Sequence, residues 1–144
     1  MKKLSKEGFN RARDFLASNA RPLEWALFQY TFENRSKEDA LSALSILQCE
    51  NGGFNDLGEG GHDGQTSMAT TIAFGYLEAL RADTDSDMVR RGIQFFLDSY
   101  DSLNQVWPPR PNMPEPITDR LPHALGNPSA EIVGYVWNTF GPGV

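Results

Sequence analysis

The sequence predicts an all-α protein. Apolar residues recur at i, i+3, i+4 and i+7 through most of the 144 residues, the signature of helices with one buried face. Residues that start or stop helices fall at the ends of those runs. Alternation of apolar and polar residues, which would mark a half-buried strand, never extends beyond a few positions.

The elements follow in order. Ser5 suits the N-cap of a first helix to about Ser18, with Phe9, Ala12 and Leu16 on one face. Pro22 fits the first turn of a second helix, where its missing N–H costs nothing, and Leu23, Ala26, Leu27 and Tyr30 form its stripe. Ser36 with Asp39 resembles a capping box, opening a third helix on Ala40, Ala43, Leu44 and Leu47. The cleanest stripe, Ala69, Ile72, Ala73, Tyr76, Leu77 and Leu80, predicts a fourth helix from about Thr66 to Arg81. A fifth runs from about Asp85 to Tyr100 on Val89, Ile93, Phe96 and Leu97. Asn127 and Pro128 open a short sixth, "SAEIVGYVWNTF", stopped by Gly141 and Pro142.

Two stretches break the helical rhythm. Residues 47–64, "LQCENGGFNDLGEGGHDG", are rich in glycine, and residues 101–128 carry seven of the nine prolines. A loop as long as the second is uncommon inside a compact domain unless it has a function, and its prolines favour extended backbone draped over a surface. Both breaks follow an amphipathic helix, and both deliver a large aromatic within a few residues. Phe54 matches Trp107 at an offset of 53 residues, and Leu47 matches Leu97 at 50. The chain therefore reads as repeated helical hairpins, three in number, within one domain spanning residues 1–144.

The quoted stretch also carries a family resemblance. "LQCENGGF" resembles the Gln-x-x-x-Gly-Gly-Phe/Trp repeat of squalene–hopene-type cyclases and protein prenyltransferase β subunits. The "GQTSMATTIAFGYLEAL" that follows is similar to the helix succeeding that motif in prenyltransferases. "NARPLEWALFQYTFE", the Trp-Pro turn, "LPHAL" and "NPSAEIVGY" extend the likeness to small bacterial prenyltransferase-like proteins. The resemblance implies helical hairpins of α/α-toroid type, here roughly half a toroid. It makes Gln48, Gly52, Gly53 and Phe54 the structural repeat motif. In that role Gln48 bridges the ends of neighbouring helices, the two glycines permit positive φ and close approach, and Phe54 packs into the seam. Half a ring would leave apolar helix faces open, so either two copies close a ring as a homodimer, which is the favoured expectation, or the chain is a piece of a longer one, or the helices collapse into a compact bundle. The resemblance further implies an isoprenoid or other hydrophobic small molecule as ligand.

The chemistry is less legible than the fold. A terpenoid cyclase that protonates an alkene carries an Asp-x-Asp-Asp run, whereas "ADTDSD" at 82–87 lacks the adjacent pair. Thr84 with Asp87 reads there as a capping box, with acids favoured by the helix dipole. No Asp-Asp-x-x-Asp run for magnesium and diphosphate occurs. Prenyltransferase zinc is held by an Asp, a Cys and a His, the first two one residue apart, but Leu47 stands two positions before Cys49. A set built from Cys49, His62 and His123 has no diagnostic spacing, so no metal and no cofactor are expected.

The candidate catalytic acids are Asp56, Asp63 and Asp85, and the candidate ligand-binding residues are His62, Asp63, Tyr76, Trp107 and His123. His62 stands where prenyltransferases tend to place a histidine near the isoprenoid diphosphate, and Gly58, Gly60, Gly61 and Gly64 could form an open lip beside the Thr66 helix. Trp25, Phe28, Phe95, Tyr135 and Trp137 are further candidates to line an apolar pocket, and Arg81, Arg110 and Arg120 could meet an anion. Three readings stay open: a binding module for a hydrophobic ligand, a cyclase- or prenyltransferase-type enzyme, and a structural repeat that binds protein. The enzyme would need a carboxyl group of raised pKa inside an apolar cavity.

Bulk properties narrow the class. An apolar fraction of 40% with 11% aromatics belongs to a folded chain. A net charge of −6 repels phosphate backbones, so nucleic acid is not an expected partner. The single cysteine excludes an internal disulfide and points to a reducing, cytoplasmic setting. No apolar run follows "MKKLSKEGFN", so no signal peptide is expected, and none reaches the roughly 18 residues of a membrane span.

Overall fold

The computed structural model describes residues 4–58, 65–108 and 128–141. Among these the protein is all-helical, with six helices and no strand: α1 (Lys6–Asn19), α2 (Pro22–Glu33), α3 (Lys37–Ser45), α4 (Ser67–Ala79), α5 (Asp87–Asp98) and α6 (Ser129–Phe140). The chain divides into two compact units, Met1–Leu44 and Ser45–Val144.

In the first unit, Ser5 caps α1 by accepting from the Gly8 N–H at 3.0 Å, and Pro22 opens α2 as expected. The two helices meet through aromatic rings. Phe9 stacks on Phe28 at 5.6 Å, and Phe28 stacks on Trp25 at 5.5 Å. Yet no residue of α1 is fully buried, and the expected core position Ala12 is exposed. Ser36 differs from the expected capping box in its partner. Its hydroxyl accepts from the Glu38 N–H at 3.2 Å, with no bond to Asp39.

In the second unit α4, α5 and α6 pack against one another. The core includes Phe54, Leu57, Ala73, Phe74, Leu77, Leu80, Val89, Ile93, Phe96 and Ile132. Gly92 sets the approach of α5 to α4, because a Cβ there would collide with the Phe74 ring. Leu97, an expected core residue, is 39% exposed, while Phe95 turns inward beside the glycine turn.

The cap of α5 also differs from expectation. Ser86, not Thr84, accepts from the first-turn N–H of Val89, at 3.4 Å. Residues 83–86 are held in a turn by Asp85 N–H to Asp83 Oδ1 and by Ser86 N–H to the Asp83 carbonyl, both at 3.0 Å. That turn delays the helix to Asp87, and only the residue directly before a helix is placed to cap it.

Candidate functional site

Each of the two stretches that break the helical rhythm opens with a bridged turn. The first turn is pinned by a single antiparallel bridge between Gln48 and Phe54, and the second by one between Asp101 and Val106. An aromatic at the first bridge, Phe54, and one just after the second, Trp107, each donate a backbone N–H to a hydroxyl near the start of a later helix, α4 and α6 respectively. Phe54 N–H reaches Thr70 Oγ1 at 3.0 Å, and Trp107 N–H reaches Ser129 Oγ at 3.1 Å.

The four motif residues are fully employed in the first turn. Gln48 Nε2 donates to the Gly52 carbonyl at 3.0 Å and to the Met88 carbonyl, in the opening turn of α5, at 2.9 Å. It thus ties the turn to the beginning of α5. Arg91 adds a second tie, donating from Nη2 to the Cys49 carbonyl at 2.6 Å and the Glu50 carbonyl at 3.2 Å. Gly52 has φ +88° and lies against the Arg91 carbonyl, so a side chain is excluded on both counts. Gly53 needs no positive φ, but a Cβ there would sit 2.7 Å from the Phe95 ring. Phe54 has no exposed surface.

The second turn is one residue shorter between its bridged positions, and Asp101 and Val106 exchange both backbone bonds directly, at 2.9 and 3.3 Å. Asp101 accepts from the N–H groups of Leu103 and Asn104 at 3.0 and 3.1 Å and from Asn104 Nδ2 at 2.7 Å. These bonds, the Asn104 side chain first, hold the Asp101 carboxyl below its ordinary pKa. Trp107 donates its indole N–H to the Phe96 carbonyl at 2.6 Å and lies 4.6 Å from the Tyr100 ring. Its polar atom is therefore committed to the fold.

A groove of about 280 Å3 opens between the ends of α4 and α6 and the start of α5. Its apolar lining is Phe74, Leu77, Val89 and the Tyr135 ring, and its polar lining includes Glu78, Arg81, Thr84 and Asn138. The floor is fixed by the Phe74 ring, 5.0 Å from Phe96 and 5.2 Å from Tyr135. The rim is shaped by the exit of α4. There the Ala82 N–H bonds to the Leu77 carbonyl and the Arg81 N–H to the Glu78 carbonyl, both at 2.9 Å. This is a Schellman termination with Arg81, at φ 50°, in the left-handed position that glycine usually takes. The Tyr135 hydroxyl is held above its ordinary pKa by burial first, then by the Glu131 and Glu78 carboxylates, so it stays protonated at neutral pH.

Of the sequence-derived candidates, Tyr135 and Arg81 line the groove, and the others among the described residues do not. Tyr76 is half-buried and Trp107 is held as above, and neither lines the groove. Asp56, at φ 53°, and Asp85 are exposed, and both also lie outside the groove lining. His62, Asp63 and His123 lie outside the described residues, as do Arg110 and Arg120. Among the described residues no three His, Cys, Asp or Glu side chains come together to hold a metal ion, and no helix is long and apolar enough to cross a membrane. The Glu24 and Asp101 carboxyl groups are both held below their ordinary pKa. At Glu24 burial is the largest single influence and acts upward, but the Arg21 hydrogen bond, the bond from its own backbone N–H and the Arg21 charge together outweigh it.

No family model, curated protein or solved structure matches the chain. The resemblance of "LQCENGGF" to the cyclase and prenyltransferase repeat rests on the motif's own residues, whose bonds and contacts serve the turn. Tyr135 and Arg81 were visible in the sequence as an aromatic and a cation of interest. Glu78 and Asn138 carried no signal and Thr84 only that of a cap, since only the meeting of α4 with α6 brings them together at one groove.

Proposed function

We propose that this protein is a non-catalytic binding module that holds a small hydrophobic molecule in the groove between α4, α5 and α6. The observation that supports this reading is the groove itself, with an apolar floor of Phe74, Leu77, Val89 and Tyr135 beneath a polar rim. Such a site combines burial of an apolar body with a few groups that fix its orientation. Its 280 Å3 corresponds to the share of about nine liquid waters, which suits a ring or a short chain better than a long isoprenoid.

The reading is tested by NMR titration with phenethyl alcohol, a neutral probe of the right size. Shifts of the Phe74 and Tyr135 ring resonances are expected, and their loss in Asn138→Trp, which fills the groove from the exposed side of α6. Absence of shifts at these rings, or shifts unaffected by Asn138→Trp, would remove the proposal.

A second reading, self-association, is favoured by α6. Val133, Trp137 and Phe140, spaced i, i+4, i+7, are each more than half exposed on that helix. An apolar stripe of this kind is a contact surface seeking cover.

A further inference from the structure

We infer that the groove selects a small organic cation: an ammonium group carried on an aromatic or short aliphatic body, read by Glu78 and the Tyr135–Phe74 ring pair. The inference rests on the binding reading above and adds the charge of the ligand. Two carboxylates act on this end of the groove. Glu78 lines it, and Glu131 acts on the Tyr135 hydroxyl from one turn earlier on α6. Neither has a hydrogen-bond or ion-pair partner among the described residues. Arg81, the cation in the lining, is by contrast engaged in an interaction of its own.

The rings point the same way as the carboxylates. Phe74 and Tyr135 stand 5.2 Å apart at a tilt of 46°. Their faces carry the negative part of the ring quadrupole, which attracts an ammonium within about 6 Å of a centroid. Burial of the apolar body lowers the local dielectric and strengthens the pull of Glu78. A carboxylate ligand meets the reverse situation. It would approach the Glu78 carboxylate in the lining and the Glu131 carboxylate beside Tyr135.

Three probes of one size and different charge test this: phenethylammonium, phenethyl alcohol and hydrocinnamate, titrated at physiological salt and followed on the Phe74 and Tyr135 rings. The ammonium is expected to bind about tenfold more tightly than the alcohol. Glu78→Gln should bring the two to parity by weakening the ammonium about tenfold. Glu7→Gln, the same charge removed from exposed α1, should alter nothing, which separates a local reader from attraction by the net charge. Equal affinity of alcohol and ammonium overturns the inference, as does tightest binding of hydrocinnamate with its loss in Arg81→Gln. In both cases the rings still shift and the groove reading survives. If no probe moves the rings, the groove reading falls and the inference falls with it.

Discussion

Glycine at one position supports this fold and at another weakens it, and the difference lies in what surrounds the missing Cβ. Gly52 combines φ +88° with backbone contact to Arg91, so alanine there meets both a disfavoured conformation and a collision with an immovable carbonyl. Gly52→Ala should therefore cost roughly 2–4 kcal/mol. Gly134 is the opposite case, a mid-helix glycine with nothing within 4 Å of a built Cβ. Gly134→Ala should stabilise by about 0.5–1 kcal/mol, because alanine restricts the unfolded chain and suits the helix. Urea unfolding reads both as opposite shifts of the midpoint at unchanged slope. A midpoint for Gly52→Ala within error of the parent would show that the turn tolerates a side chain and that its glycine pair is incidental.

The helices were legible in the sequence because periodicity and caps are local. Ser5, Pro22, Thr66 and Gly141 each stand where the sequence placed them. Legibility failed where several capping residues compete, as in Asp83–Asp87, since an Asx turn decides which of them precedes the helix. It failed again at the groove. Glu78 and Tyr135 are 57 positions apart in the sequence, and nothing local to either announces the other.

The pair of bridged turns is an intermediate case. Its aromatics were visible, but the hydroxyls that receive their N–H groups were not. Thr70 has no exposed surface, and its hydroxyl also donates to the Thr66 carbonyl at 2.9 Å. Thr70→Val keeps the shape and strands the buried Phe54 N–H, at an expected cost of about 1–3 kcal/mol. Ser129→Ala should cost less, because the bond from Trp107 is only partly buried and the indole retains its own anchor on Phe96. Chemical denaturation of the two variants orders them. A larger loss in Ser129→Ala would mean that the second turn, not the first, holds the helices of this unit together.

At the scale of the molecule, α6 buries Ile132 and presents Val133, Trp137 and Phe140, at 54%, 57% and 52% exposure, to the outside. With aromatic side chains burying 150–250 Å2 each when fully covered, these three residues offer roughly 300 Å2 of removable apolar surface. That falls well short of the ~800 Å2 per partner of a standard stable interface. Self-association through α6 is therefore expected to be weak and concentration-dependent, with α6 of one copy meeting α6 of the next across a two-fold axis. Sedimentation velocity over a range of concentrations should show the average mass rising as the protein is concentrated. Trp137→Glu should hold it at 16.0 kDa without loss of helix, because the side chain it removes is mostly outside the monomer's core. A mass that is constant across the range in the parent protein would reject α6 as a self-contact. A mass that rises equally in parent and variant would move the contact to another exposed face, of which the Phe15 and Phe32 side chains of the first unit, at 64% and 61% exposure, are the next to test.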